Sequence, residues 1–298
     1  MSVAQRARRQ CWRIERQAWY GLAFISPGLL YFAVFFLYPV ISALSWSFTR
    51  YDLVTPPQFV GLANFRYMLT DTHFVNGLTV TLKYVAGVVP AVFTCGFLLS
   101  LLFNQEFPGR SFFRGVFFVP FVVSLVAASF IWRYVYQPTY GLWPQLARLL
   151  HLPEVNWLND RRYAIWGLVI IAIWRVSGYY MLIFLGGLQN ISKDYYEAAS
   201  IDGAGALQRF LYITWPLMKR IMVFVLIVAT IGAFQAFAPA LLVTGGGPAG
   251  ATRVLQLYLY ETGWLYLRFG YASAIAVFMV LVLSGATAVY TRLLRVEG

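Results

Sequence analysis

Apolar runs long enough to cross a bilayer alternate with short polar stretches along the whole chain, and the alternation predicts six spans. They are expected over about residues 21–48, 77–103, 111–136, 163–188, 221–243 and 271–294. On one side the polar connections are residues 50–76, residues 137–162 and the run GGGPAGATR; on the other they are NQEFPGR and residues 190–220. Arg6, Arg8, Arg9, Arg13 and Arg16 precede the first run as in a signal peptide, but a signal core holds only about 7–15 apolar residues, so an uncleaved first helix is expected. Pro27 and Pro39 are tolerable there because neighbouring helices can satisfy freed carbonyls.

Composition agrees with an all-α polytopic membrane protein: 60% of residues are apolar, 11% are charged and the mean hydropathy is +0.66. The net charge of +12 sits in small groups beside the apolar runs, as membrane orientation requires, which argues against nucleic acid as a partner. With the N-terminus inside, thirteen Lys and Arg fall in cytoplasmic segments and seven in external ones, while Lys83, Arg133 and Arg175 fall within or at the ends of spans. Both termini are therefore expected in the cytoplasm, together with residues 190–220. No repeat or linker divides the chain, so residues 1–298 are read as one transmembrane domain: a tail of residues 1–20, a core of about 21–294 and the polar loop of about 190–220.

Candidate chemistry is sparse. Cys11 and Cys95 lie at different expected depths, and His73 and His151 have no Cys nearby, so no metal or disulfide framework is implied. None of the three lysines follows a glycine, so there is no phosphate-cradling loop and this chain is not expected to hydrolyse ATP or to be an enzyme. Every acidic residue maps to a tail or loop, which speaks against a self-sufficient ion-coupled carrier, the alternative of a different class. Arg175, mid-helix, is either functional or a packing residue bonded to carbonyls. Lys83 and Arg133 can snorkel. Gln235 can bond sugar hydroxyls between Phe234 and Phe237, although such an aromatic stripe also suits a core or a lipid face.

The polar loop reads as a lever. Ser192 can cap a short helix with Asp194 in its first turn, and Ala198 and Ala199 keep one face shallow enough for a partner's groove. Gly203 and Gly205 break the helix, Asp202 is placed to cap the helical segment beyond the break, and Pro216 starts the next span.

The run EAASIDGAG resembles the cytoplasmic EAA loop of binding-protein-dependent ABC importer permeases. Glu197, Ala198, Ala199, Gly203, Ile213 and Pro216 match its pattern, with Trp215 where Leu is usual. The likeness extends to the maltose-type carbohydrate and glycerol-3-phosphate branch through PGLLYFAVFFLYPVISALSWSF, FVGLANFRYML, WLND, Trp174-Arg175, GLQNI, LLVTGGGP and FGYASA, in the expected order. Ala238 stands where that branch often has Asp after F-Q-x-F.

The resemblance implies a type I importer permease bundle in a bacterial or archaeal inner membrane, with a coupling helix between helices 4 and 5. Its implied partners are a second permease, two ATP-binding subunits that hold ATP and Mg, and an extracytoplasmic solute-binding protein; no cofactor is implied in this chain. The coupling set would be Glu197, Ala198, Ala199, Asp202, Gly203 and Pro216, and the substrate contacts Arg175, Gln235, Phe234, Phe237 and Trp174. Alternating access of a carbohydrate is the implied activity, with glycerol-3-phosphate or a related polyol phosphate as the alternative cargo.

Overall fold

The computed structural model describes residues 19–293, so the basic tail with Arg6, Arg8, Arg9, Arg13, Arg16 and Cys11, and Leu294 and Arg295 at the other end, lie outside the described residues. Helix α1 (Trp19–Trp46) leads into a two-stranded antiparallel ribbon, β1 (Thr49–Arg50) and β2 (Gln58–Phe59), with Thr49 opposite Phe59. Next come α2 (Ala63–Thr70), α3 (Thr72–Asn104), α4 (Arg110–Val122), α5 (Leu125–Val135), α6 (Leu142–Leu149) and α7 (Ala164–Gln189). The short α8 (Lys193–Ile201) precedes α9 (Ala206–Phe234), α10 (Leu255–Tyr260) and α11 (Phe269–Leu293).

Among the described residues five helices, α1, α3, α7, α9 and α11, are long and apolar enough to cross a membrane, and α4 with α5 makes a sixth if that pair is one span. The single helix expected over 111–136 is thus two helices bent by 95°. Pro120 takes a donor out of the last turn of α4, and Val123 and Ser124 then run extended, so the chain swings away although the sequence stays apolar.

Three other expected boundaries move. The first described residues, Trp19 and Tyr20, are already helical, ahead of the start expected at residue 21. Helix α3 begins at Thr72 instead of 77 because the Asp71 carboxylate accepts the His73 N–H at 3.0 Å and starts the helix a turn early. The helix expected over 221–243 runs instead from Ala206 to Phe234. Its start is continuous through Pro216 because the backbone widens to a π turn over Phe210–Thr214, just before a proline that cannot donate; α1 does the same over Ala33–Leu37 before Pro39. After Gln235 the chain leaves the helix, and the apolar residues up to Val243 form a separate π turn, Ala240–Thr244.

The core is a three-helix wall of α3, α7 and α9, joined through Val92, Leu168, Phe184, Met218 and Val225, all nearly inaccessible to solvent. At Gly178 the backbone of α4 lies so close to α7 that a Cβ would run into the Phe117 carbonyl, which sets α4 flat on the wall. A second cluster joins α2, α10 and α11 to the ends of α3 and α9 through Met68, Phe74, Phe234, Leu255 and Ile275.

That second cluster is pinned by polar groups. Asp71 accepts hydrogen bonds from Tyr258 at 2.5 Å and Tyr271 at 2.7 Å, and the Thr81 hydroxyl accepts the Leu255 N–H at 2.7 Å. Burial opposes the Asp71 charge, but the two tyrosine hydrogen bonds, with the backbone N–H groups of His73 and Phe74, together outweigh it and hold the carboxyl below its ordinary range. Beside it, burial pushes Glu261 up, against the pull of Arg253 at 3.1 Å and of His73.

Candidate functional site

The polar loop folds into an elbow whose first arm is α8. The Ser192 hydroxyl accepts the Asp194 N–H at 3.3 Å, and Asp194 stands in the first turn, where the helix dipole favours an anion. The arm ends in a Schellman turn: Ala204 N–H reaches back to the Ala199 carbonyl at 2.8 Å and Gly203 N–H to that of Ser200 at 3.1 Å, with Gly203 at φ +80°. That backbone region costs any residue with a Cβ on the order of 1–2 kcal/mol, so the glycine is what the geometry requires.

Asp202 closes this first arm as its C-cap and does not cap the next helix. Gly205 takes that position, its N–H donating to the Gln208 side chain at 2.8 Å. Pro216 lies inside the second arm, beyond the π turn, rather than at its start.

The two arms are tied together. The Tyr196 hydroxyl meets Thr214 Oγ1 at 2.9 Å, and Arg209 donates to the Ser200 hydroxyl at 3.0 Å while that hydroxyl donates to the Tyr196 carbonyl. Glu197 and Ala198 face solvent, Ala199 is half-buried, and Ile201 and Leu207 are 87% and 70% exposed. An exposed apolar tip on a cross-braced polar elbow is suited to a protein groove, because α8 presents its surface without losing its own hydrogen bonds.

The second site is a cavity of about 480 Å³ between α3, the α4–α5 bend, α7 and the end of α9. Arg175, Gln235 and Phe237 all line it, with Tyr84, Phe121 and Tyr179. The Arg175 guanidinium lies 5.4 Å from the centre of the Phe121 ring, and Phe121 stacks on Tyr179 at 4.3 Å. Gln235 reaches the cavity because it is the residue at which α9 stops.

Two expected contacts fall elsewhere. Trp174 is turned to a separate apolar cavity with Cys95 and Phe117 and packs edge-on to Trp132 at 5.6 Å, since neighbours on a helix diverge by about 100°. Phe234, 2% exposed, is buried in the second core cluster. Tyr84, Phe121 and Tyr179 were missed: they sit among other aromatics in apolar runs, and the sequence carries no signal that separates cavity rings from core rings.

The model of the family described as "Binding-protein-dependent transport system inner membrane component" matches residues 92–295. The chain is similar to the probable ABC transporter permease protein YesP of Bacillus subtilis, 36% identical over 88% of this chain and 86% of that protein. It is also similar to the trehalose/maltose transport system permease protein MalF of Thermococcus litoralis, 32% identical over 94% of this chain and 95% of that one. In fold it is similar to a chain from the crystal structure of a bacterial alginate ABC transporter in complex with alginate pentasaccharide-bound periplasmic protein, with a TM-score of 0.83 at 20% identity, covering 94% of this chain and 96% of the other.

Proposed function

The chain belongs to the family of inner membrane components of binding-protein-dependent transport systems, and from that premise we propose that it is the carbohydrate-translocating permease of an ATP-driven importer worked through the Gly203 elbow. As a member it is a multi-pass membrane permease subunit and not itself an enzyme. A carbohydrate cargo is supported by relatives whose names specify trehalose and maltose, or arabinooligosaccharides.

The observation that carries the mechanism is the elbow: an exposed helix, ended by a positive-φ glycine and braced by Tyr196 and Thr214 against a helix that runs on to the cavity wall at Gln235. In this account α8 is the coupling helix. Partner ATPases grip it through Glu197, Ala198 and Ala199; Asp202 and Gly203 fix its angle, and the bulge ahead of Pro216 passes its displacement into α9. Alternating access is then a rigid-body rocking of α9 and its neighbours about the cavity.

Residues 1–298 act as a single domain of six crossings with both termini in the cytoplasm, the bent α4–α5 pair making the third crossing. A second permease subunit is supported by α1, whose residues 19–41 are exposed on every face and which packs on its own chain only near its C-terminal end, against α11. Two ATP-binding subunits and an extracytoplasmic solute-binding protein complete the assembly, and ATP and Mg are held by the ATP-binding subunits.

Proteoliposomes holding the whole assembly test this. Uptake of labelled oligosaccharide should require ATP on the elbow side and binding protein on the other; uptake by this chain alone, driven by an ion gradient and indifferent to ATP, would contradict it.

A further inference from the structure

Arg175 stands near the middle of α7, with its Nε buried and without a hydrogen-bond partner. Among the described residues it makes no ion pair, and its Nε, the buried nitrogen, bonds no carbonyl. Among the described residues no Asp or Glu lines its cavity; Ala238, two residues past Ala236, gives that wall a methyl group. Its guanidinium rests over the Phe121 ring, which attracts a cation without neutralising it. A charge in a spanning helix marks a pathway or a partner, and Arg175 turns its guanidinium toward the cavity.

We propose that the partner is the cargo: the carbohydrate moved through this cavity carries a carboxylate, as a uronic acid unit does, and pairs with Arg175. The inference rests on the carbohydrate-permease function above and narrows its substrate class. A guanidinium presents a planar fork that matches a carboxylate with two parallel hydrogen bonds, and its single charge balances a single acid. A phosphate ester, near a double negative charge at neutral pH, would leave charge over in a cavity with one cation. The rest of the wall suits a sugar, with the Gln235 amide for hydroxyls and the rings of Phe121 and Phe237 for its apolar faces. The volume of about 480 Å³ lies within the range of small-ligand pockets.

The test is equilibrium binding to the complete transporter in nanodiscs, without binding protein, using three labelled probes: digalacturonate, neutral galactobiose and galactose phosphate. Digalacturonate should bind about tenfold or more tighter than galactobiose, by the worth of a charge-assisted hydrogen-bonded pair. Arg175→Gln should abolish that advantage, Arg175→Lys should keep part of it, and added salt should shrink it in the parent but not in Arg175→Gln. Equal binding of the acidic and neutral sugars, an advantage that survives Arg175→Gln, or preference for the phosphate would overturn the proposal and leave the permease function standing. Failure of the parent complex to bind any of the three, together with failure to import any oligosaccharide, would overturn both.

Discussion

The Tyr196 hydroxyl sits 2.9 Å from Oγ1 of Thr214, a bond that closes the elbow across eighteen residues of sequence. Thr214 is buried, so removing its partner leaves a hydroxyl unpaired. Tyr196→Phe should cost about 1 kcal/mol in the braced state, and substrate moved per ATP hydrolysed should fall about fivefold. Uptake and ATPase rates measured on one proteoliposome preparation check it; an unchanged ratio would show that the brace carries no force.

Gly178 answers to a different constraint. A Cβ there meets the Phe117 carbonyl, a backbone atom that cannot rotate away. Gly178→Ala should lower the stability of the complex by about 1–3 kcal/mol or more, as α4 lifts off α7. Thermal unfolding in detergent reads this directly, and parent-like stability would mean that α4 does not rest on the wall at this depth.

Asp71 makes stability depend on pH. Its folded-state pKa lies below the ordinary value of 3.8: burial raises it, but the hydrogen bonds from Tyr258 and Tyr271 together with the backbone N–H groups of His73 and Phe74 outweigh burial. The stabilisation is therefore complete above the ordinary value and is lost as pH falls through it toward the folded value. Asp71→Asn should cost about 1.5–3 kcal/mol at pH 7 and flatten the acid limb of the stability profile. Unfolding midpoints from pH 7 down to the acid limit check both; a steep acid limb in Asp71→Asn would assign the dependence to other groups.

Much of the architecture was legible because its causes are local. A run of some twenty apolar residues has few alternatives to a span, and the pattern around Gly203 spells a helix ended by a left-handed turn. What escaped depends on tertiary geometry. The bend at Val123 and Ser124 sits in an unbroken apolar run, and α9 stops at Gln235 although the apolar residues continue to Val243. Arg175 was singled out for its cost in the membrane, whereas its neighbour Trp174 came with it only by adjacency and faces another way. Asp202 is an acid beside a helix break, and its sequence position does not say which of the two helices it closes; the Schellman bonds give it to the first.

The cavity assignment separates two phenylalanines three residues apart. Phe237→Ala, on the cavity wall, should raise KM for uptake about five- to tenfold by loss of an aromatic contact of about 1 kcal/mol. Phe234→Ala, in the core, should cost about 3–5 kcal/mol of stability, and Trp174→Phe should leave KM unchanged. Uptake kinetics and unfolding on the three variants check the split; a KM effect from Trp174→Phe would place its cavity on the substrate path.

Gly203 concentrates the central claim, that partner ATPases drive transport by turning this elbow. Its φ of +80° is closed to proline, whose ring fixes φ near −65°, and its N–H holds the Ser200 carbonyl, while nothing within 4 Å would meet an added Cβ. Gly203→Pro therefore alters the angle of α8 without touching the core. The most direct measurement is ATP-driven oligosaccharide uptake by reconstituted Gly203→Pro complexes that retain all their subunits: uptake abolished while ATP is still hydrolysed is the predicted result, and uptake at the parent rate would contradict the account.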